Sequence, residues 1–290
     1  MRRHVTNGLG FEGALLLSIS RQLTKQSINW IWDSDDQKAI TYRTGIFQND
    51  IPNELKDQMQ RAANKAACHV INEYCKSKSA YRLGSGDDAR NGDISDVTLR
   101  NCNHDVRISA KWQSKELKGP RFHPKLWAEK YGTCDISDWV VDGVNLQHLL
   151  RQWTGRQWQE LKDEIGAERL YELWQKKLCE QLTLIKESPI LTKQLANEIF
   201  GLHDHLRVSA TTRKGKEPKV EVADFREKNV IKRITYIEQH ENPRWVFVHF
   251  GHDFNVKLRL RNRDEIIKPD GMSFAATISS WGGHPPSILT

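Results

Sequence analysis

The chain has 290 residues, which is enough to bury one large hydrophobic core or two modest ones. Lys and Arg outnumber Asp and Glu by 44 to 37, and the resulting net charge of +7 favours a polyanionic partner. The composition excludes a membrane-spanning helix, because no run of about 18 apolar residues occurs, and ten Trp residues exclude a disordered chain.

Two helices are predicted in the first quarter of the chain. Apolar residues at helical spacing indicate a first helix over residues 8–23. The aromatic pair Trp30 and Trp32 is followed by a polar, turn-rich stretch at residues 33–36. A second helix is expected over residues 52–74, because a proline suits its first turn and apolar residues then recur at helical spacing.

Two short strands joined by a tight turn at residues 101–103 carry the most informative pattern of the chain. Residues 92–100 read Gly-Asp-Ile-Ser-Asp-Val-Thr-Leu-Arg, and residues 106–113 read Val-Arg-Ile-Ser-Ala-Lys-Trp-Gln. Asp96 stands at the start of the first strand and Lys111 at the end of the second. An acid and a lysine placed this way on neighbouring strands can share one metal-bound water.

The middle of the chain predicts helices separated by glycines. After an irregular basic stretch at residues 115–130, apolar residues at helical spacing indicate a long helical region over 144–186 and a further helix over 189–200. Glycines are expected to break or end these helices, because glycine accepts the left-handed backbone that commonly follows a last helical turn. They are Gly155, Gly166 and Gly201.

The last third of the chain predicts strands. Residues 256–261 alternate Val, Leu and Leu with Lys, Arg and Arg, so one face of that strand is expected to be buried and the other strongly basic. The predicted strands are 207–210, 219–222, 233–237, 244–250, 255–260 and 273–280.

The acid and the lysine of the paired strands suit phosphodiester hydrolysis. That reaction adds negative charge to a group that is already anionic, and a divalent ion held by carboxylates offsets the charge and lowers the pKa of the attacking water. Mg²⁺ keeps several waters, so one or two carboxylates suffice. In this interpretation Asp96 is the main metal ligand and the backbone carbonyl of Ala110 a further ligand. Lys111 orients the nucleophile or stabilises the pentavalent state.

Residues 92–97 followed by residues 108–112, Ile-Ser-Ala-Lys-Trp, resemble the core of the HaeIII-type restriction endonuclease family, which belongs to the PD-(D/E)xK nuclease superfamily. That family similarly carries a Gly-Asp-x-x-Asp turn, and it has Ser-x-Lys where the superfamily usually has Glu-x-Lys or Asp-x-Lys. The resemblance implies catalytic roles for Asp96, Ser109 and Lys111.

Shorter matches are scattered over most of the chain. Residues 8–12, Gly-Leu-Gly-Phe-Glu, resemble the family's Gly-x-x-x-Glu at the start of its first helix, which implies a catalytic role for Glu12. Residues 112–114, Trp-Gln-Ser, depart from the run containing Asn and His that follows the lysine in the family, and this departure concerns the target sequence more than the chemistry. The other similar segments are 85–87, 199–204 and 258–262.

The sequence leaves the second carboxylate of the site open. Asp93 lies three residues before Asp96 in the same turn, whereas Glu12 lies on the first helix, where several nucleases of the superfamily resemble one another in using a Glu. Glu73, near the end of the second helix, is a weaker choice. The ordinary alternative for Asp96 and Lys111 is a solvated ion pair on a β-hairpin.

The resemblance implies an α/β fold, of mixed α+β type, with a core sheet flanked by helices and with helical and β-rich additions. Residues 1–136 are expected to form the N-terminal helices and the catalytic core, residues 137–201 a helical region, and residues 202–290 a β-rich DNA-recognition region. The last region can also form one continuous domain with the core.

The function that the resemblance implies is that of a type II restriction endonuclease, which cuts duplex DNA at a short, G/C-rich palindrome with Mg²⁺. Palindromes are commonly read by two-fold dimers, so a homodimer is expected. Five cysteines without a Cys-x-x-Cys pair favour a reducing cytoplasm. The alternatives are a PD-(D/E)xK nuclease of repair or nicking type and a catalytically silent DNA-binding protein with a nuclease-like fold.

Basic residues supply candidates for DNA contacts, with a solvated surface as the ordinary alternative for each. Arginine can read guanine and asparagine can read adenine in the major groove. The candidates for phosphate contacts are Lys115, Lys118, Arg121, His123, Arg213, Lys214 and Lys216. The candidates for base contacts are Arg259, Arg261, Asn262 and Arg263.

Overall fold

The chain divides into two compact units, and it has the mixed α and β class predicted from the sequence. The first unit comprises Met1–Lys115, Leu202–Asn229 and His284–Thr290, and the second comprises Glu116–Gly201 and Val230–Gly283. The computed structural model describes residues 3–75, 79–86, 95–102, 104–114, 124–132, 139–201, 204–213, 216–226, 233–251, 254–262, 265–268, 272–281 and 285–289.

Helices and strands alternate irregularly along the chain. In the described part of the chain, no helix is long and apolar enough to cross a membrane. The helices are α1 (Arg3–Lys25), α2 (Gln37–Gly45), α3 (Asn53–Tyr74), α4 (Pro124–Tyr131), α5 (Leu146–Trp153), α6 (Trp158–Ile165), α7 (Ala167–Lys186) and α8 (Pro189–Phe200), and a π-helical turn, Ile46–Asp50, follows α2. The strands are β1 (Trp30–Trp32), β2 (Tyr81–Gly84), β3 (Val97–Arg100), β4 (Asp105–Trp112), β5 (Val140–Val141), β6 (Val144–Asn145), β7 (Leu206–Thr211), β8 (Lys219–Asp224), β9 (Ile234–Gln239), β10 (Trp245–Phe250), β11 (Phe254–Asn262), β12 (Met272–Trp281) and β13 (Ser287–Leu289).

The first unit is built on a seven-stranded mixed sheet in the order β1-β2-β3-β4-β7-β8-β13. Strands β2, β3 and β4 form an antiparallel meander, and β4 then pairs in parallel with β7, with Lys111 opposite Ser209. Helices α1 and α3 pack together over the apolar face of this sheet. Full burial of each large apolar side chain stabilises the fold by about 1.5–3 kcal/mol. The fully buried members of this core include Leu15, Ile19, Val70, Ile108 and Val208.

Several elements were not predicted from the sequence, among them β1, α2 and α4. The short strand β1 lies at the aromatic pair. Helix α2 has a weak amphipathic pattern, because its buried residues are Ile40 and Arg43, one of which is charged. Helix α4 lies in a stretch that was expected to be irregular, and it is anchored by Trp127 and Tyr131, whose rings are 5.0 Å apart one helical turn from each other.

The second unit combines helices with a four-stranded antiparallel sheet in the order β12-β11-β10-β9. The predicted helix breaks are confirmed, because Gly155 and Gly166 have φ angles of 89° and 83° between helices. Gly201, with φ of 92°, ends α8. The predicted alternation along β11 is also confirmed, since its apolar residues are buried and Arg259 and Arg261 are exposed.

The predicted division of the chain differs from these units in its last segment. Residues 202–290 were expected to form one β-rich region, but β7, β8 and β13 belong to the sheet of the first unit, whereas β9–β12 form the sheet of the second. The reason is the parallel pairing of β4 with β7. A parallel pair needs a long crossover connection, and the local pattern of either strand does not reveal its partner.

Candidate active site

Asp96 lies just before β3 and faces three donors from β4. Its backbone N–H donates to the carbonyl of Ile108 at 2.7 Å, which pairs the two strands at this point. Its Oδ2 accepts hydrogen bonds from the backbone N–H of Ala110 at 2.7 Å, from Nζ of Lys111 at 3.2 Å and from Oγ of Ser109 at 3.3 Å. The acid and the lysine chosen from the sequence therefore lie together.

Successive side chains of β4 point to opposite faces of the sheet, and this separates the site from the core. Ala110 and Trp112 belong to the apolar core, whereas Ser109 and Lys111 reach Asp96. Ser109 is buried and neutral, so it donates to the carboxylate of Asp96 without adding a second charge beside it. Because the N–H and C=O of one strand residue point to the same edge, we expect the carbonyl of Ala110 to lie on the Asp96 side. Lys111 is 36% exposed in its side chain and so can reach a bound molecule.

Glu12 contributes a second, buried carboxylate to the same cluster of charges. It is 8% exposed, and its Oε2 lies 2.7 Å from Nε of the buried Arg43. The pKa of Glu12 is raised to about 8, mainly by burial and then by the nearby charge of Asp96, whereas Arg43 and Lys111 act to lower it. Glu12, Asp96 and Lys111 are therefore coupled electrostatically although they come from different elements.

Close backbone contacts place Glu12 at the site. A Cβ atom on Gly13 would lie 2.2 Å from the carbonyl oxygen of Arg43, so α1 and α2 approach each other as closely as a glycine allows. On the other side, the ring of Phe11 packs 5.2 Å from that of Trp112 at the end of β4. These contacts flank Glu12 and hold it between α2 and the sheet.

We expect Gly13→Ala to destabilise the protein and Gly8→Ala to leave it intact. The added methyl group at Gly13 overlaps the backbone of α2, which cannot give way cheaply, and overpacking of this kind costs about 1–3 kcal/mol. At Gly8, also on α1, nothing lies within 4 Å of the added atom. There alanine is expected to raise the free energy of unfolding by up to about 1 kcal/mol through its higher helix propensity. Urea unfolding of both variants measures these changes. The same free energy of unfolding in Gly13→Ala and Gly8→Ala would show that the close approach of α1 and α2 is unimportant.

Arg43 also ties the site to the chain that precedes Asp96. Its guanidinium donates from Nη2 to the carbonyl of Gly86 at 3.2 Å, and Oγ of Ser85 donates to the carbonyl of Asp96 at 3.3 Å. A Cβ atom on Gly86 would lie 2.2 Å from the carbonyl oxygen of Ser95, so the segments on either side of residues 87–94 touch. Asp93, the other candidate for the second carboxylate, lies outside the described residues.

The donors present fit Mg²⁺ better than a metal that requires many protein ligands. Within the described ranges, no group of three or more His, Cys, Asp or Glu side chains is placed to hold a metal ion. Mg²⁺ needs only one or two carboxylates besides waters. Asp96 can supply one carboxylate, and Glu12, whose pKa responds to the charge of Asp96, can supply a second.

Glu73, the weaker candidate for the second carboxylate, does not belong to this site. It lines a pocket with His104 and Asp105 at the opposite end of β4 from Lys111. Lys111 lies six positions after Asp105 along the strand, which corresponds to about 20 Å. Glu73 therefore cannot share a metal ion with Asp96, and the prediction of that role is wrong.

Two candidates for phosphate contacts lie at the same end of the sheet as Lys111. Arg213 and Lys216 are exposed in the turn between β7 and β8, where the backbone N–H of Lys216 donates to the carbonyl of Arg213 at 3.0 Å. Gln113 follows β4 and donates from Nε2 to Oγ1 of Thr212 at 2.5 Å. This bond joins the basic turn to the end of the strand that carries Lys111.

The candidates for base contacts belong to the second unit. Arg259 and Arg261 are exposed on β11, and Oδ1 of Asn262 accepts a hydrogen bond from the hydroxyl group of Tyr171 at 3.3 Å. The remaining candidates lie outside the described residues: they are Lys115, Lys118, Arg121, His123, Lys214 and Arg263.

Sequence reasoning missed Arg43. It lies on α2, which the apolar pattern does not predict, and a single arginine in a polar stretch gives no signal of burial. Its contacts with Glu12 and Gly86, which the tertiary structure shows, connect it with the site.

No protein-family model, no curated protein and no solved structure matches the chain.

Proposed function

We propose that this protein is a magnesium-dependent nuclease that hydrolyses phosphodiester bonds of duplex DNA. The observation that carries the proposal is the hydrogen bonding of Oδ2 of Asp96 to Lys111, Ser109 and the backbone of Ala110, which groups the acid, the serine and the lysine that the resemblance implies. The proposal extends to the HaeIII-type restriction endonucleases, on the resemblance of residues 92–97 and 108–112.

In this proposal each residue of the cluster has a distinct task. Asp96 and Glu12 hold Mg²⁺, with the carbonyl of Ala110 as a further ligand, and the ion supplies charge neutralisation and a more acidic water when it is bound. Lys111, 3.2 Å from Asp96, orients the attacking water or stabilises the pentavalent phosphorus. Arg43 holds the Glu12 carboxylate in place through its ion pair. Ser109 holds the carboxylate of Asp96.

A nuclease must also hold the DNA backbone beside its catalytic residues, and the basic turn between β7 and β8 suits this role. Arg213 and Lys216 can contact phosphates there, and Arg259 and Arg261 on β11 can read base edges. Reading of a G/C-rich palindrome implies two copies of the chain related by two-fold symmetry. Four described cysteines, Cys68, Cys75, Cys102 and Cys179, are free, in keeping with a reducing cytoplasm.

Digestion of a plasmid of known sequence tests the proposal and separates it from its alternatives. The purified protein is incubated with the plasmid, with and without Mg²⁺, and the ends of the products are mapped. A restriction enzyme gives fragments with one shared end sequence. A repair or nicking nuclease instead gives nicks or cuts at structures and lesions. Binding without any cleavage under all conditions would leave the catalytically silent alternative.

A further inference from the structure

The four-stranded sheet of the second unit has two chemically different faces. On its inner face, apolar residues of β10 and β11 such as Val246, Val248 and Leu258 are fully buried. This face packs against α7, and Phe200 of α8 stacks edge-on against Phe250. The residues between these apolar positions form the opposite face, which we call the outer face.

The outer face carries a row of aromatic rings from β9 and β10. Tyr236 is 57% exposed and pairs across the strands with His249, with 5.4 Å between ring centroids. His240, just after β9, lies 4.9 Å from Trp245 and 5.4 Å from Phe247. Trp245, Phe247 and His249 are alternate residues of β10, so they occupy the same side of the strand.

Positive charges lie beside these rings. Lys257, Arg259 and Arg261 project from β11 on the same face, because Lys257 stands opposite Phe247 and Arg259 opposite Trp245. The ammonium group of Lys257 sits 3.2 Å from the ring centroid of Trp245. Two described acids lie in or beside β9: Glu238, which lies 3.3 Å from His249, and the exposed Glu241, which follows His240 in the turn to β10. The face therefore combines aromatic rings with a net positive charge.

This combination suits a nucleic acid strand with unpaired bases, because rings stack on bases while cations hold phosphates. The spacing argues against an intact duplex. Alternate residues of a strand are about 6.6 Å apart, whereas bases along one strand of a duplex repeat at about 3.4 Å and cover one another's faces. Rings at the wider spacing can each take one base only if the bases have come apart.

We propose that the outer face binds single-stranded DNA, with bases stacked on Tyr236 and its neighbouring rings and phosphates held by Lys257, Arg259 and Arg261. The choice of DNA over RNA rests on the nuclease function proposed above. On this face the unpaired strand takes the place of the duplex base contacts proposed above for Arg259 and Arg261, and its binding does not depend on the Asp96 cluster.

Binding of a fluorescein-labelled thymidine oligonucleotide of about fifteen nucleotides tests the proposal. Anisotropy is measured in EDTA for the full-length protein, for Tyr236→Ala and for Tyr236→Phe. The loss of one stacked ring is expected to weaken binding by at least about fivefold, and Tyr236→Phe keeps the ring and the affinity. Tyr42→Ala is the matched control, because Tyr42 is 55% exposed but lies on α2 of the first unit, so no change is expected.

The salt dependence provides a second measurement that does not involve Tyr236. Arg259→Gln is expected to reduce the slope of log affinity against log salt concentration by about 0.7, as expected for one lost phosphate contact on a single strand. Equal binding by Tyr236→Ala and Tyr236→Phe would overturn the proposal. A loss of affinity in Tyr236→Ala that is as large for the matching duplex as for the single strand would also overturn it, because the ring would then not distinguish unpaired bases. Preference for a uridine RNA of equal length would overturn the assignment to DNA.

These results are separable from those on the nuclease. If Asp96→Ala still cleaves plasmid DNA with Mg²⁺ while the Tyr236 variants behave as expected, the proposed active site is wrong and the single-strand surface stands. If Asp96→Ala is inactive and Tyr236→Ala binds the oligonucleotide like the unmodified protein, the reverse holds.

Discussion

Replacing Asp96 with Asn or Lys111 with Met is expected to abolish magnesium-dependent cleavage of duplex DNA. Asp96→Asn removes the negative charge that would hold the metal ion, and Lys111→Met removes the cation 3.2 Å from that carboxylate while keeping a side chain of similar length. A bound metal ion stabilises the transition state by several kcal/mol. Loss of that stabilisation is expected to lower the rate roughly a thousandfold or more. The measurement is the initial rate of plasmid cleavage at saturating Mg²⁺.

Asp105→Asn is the matched control for both variants. Asp105 lies on the same strand as Lys111 but at its other end, where it pairs with Arg107 at 3.5 Å. Its removal is expected to leave the cleavage rate unchanged, since exposed ion pairs contribute little. Circular dichroism and thermal unfolding establish that all three variants are folded. Cleavage that survives in folded Asp96→Asn and Lys111→Met would place the chemistry elsewhere in the molecule.

We expect the metal-free protein to lose stability as pH rises from about 4.5 to about 8, through Glu12. The pKa of Glu12 is raised to about 8 in the folded state, mainly by burial, from an ordinary value of 4.5. A raised pKa means that the folded state binds the proton more tightly than the unfolded state. The stabilising contribution is therefore complete below the ordinary pKa and is lost as pH rises through the folded one. At about 1.4 kcal/mol per pKa unit, the upper limit is on the order of 5 kcal/mol.

Glu12→Gln isolates this contribution. The difference in free energy of unfolding between the two proteins, measured by urea titration in EDTA from pH 4 to pH 9, is expected to move in favour of the Glu12→Gln variant as pH rises and to level off above about 8. Parallel curves for the two proteins would show that Glu12 has no raised pKa.

Mg²⁺ should also change the stability of the folded protein through Glu12. A metal ion held by Glu12 and Asp96 requires the deprotonated carboxylate and binds the folded state, so it should raise the melting temperature more at pH 8.5 than at pH 6. Glu12→Gln should reduce this effect at pH 8.5. A rise in melting temperature that is independent of both pH and Glu12 would argue against Glu12 as a metal ligand.

The local elements of this protein could be predicted from the sequence because their causes are local. The β3–β4 pair follows from alternating residues around a short polar turn, which also brings Asp96 beside Lys111 without knowledge of the rest of the fold. The helix ends at Gly155, Gly166 and Gly201 follow from the backbone freedom of glycine. The basic side of β11 follows in the same way from the two-residue period of a strand.

Only the tertiary structure decided which distant segments meet at these elements. The parallel pairing of β4 with β7 joins strands separated by the whole helical region, and α2 brings the buried Arg43 to Glu12 although its own sequence shows little amphipathic pattern. Such contacts depend on burial against residues far away in the chain, so the local spacing of apolar residues does not predict them. The sequence by itself therefore determined the acid and the lysine of the candidate site. Packing between elements decided where Glu12 lies, that Arg43 contacts it, and that aromatic rings form a row across β9 and β10.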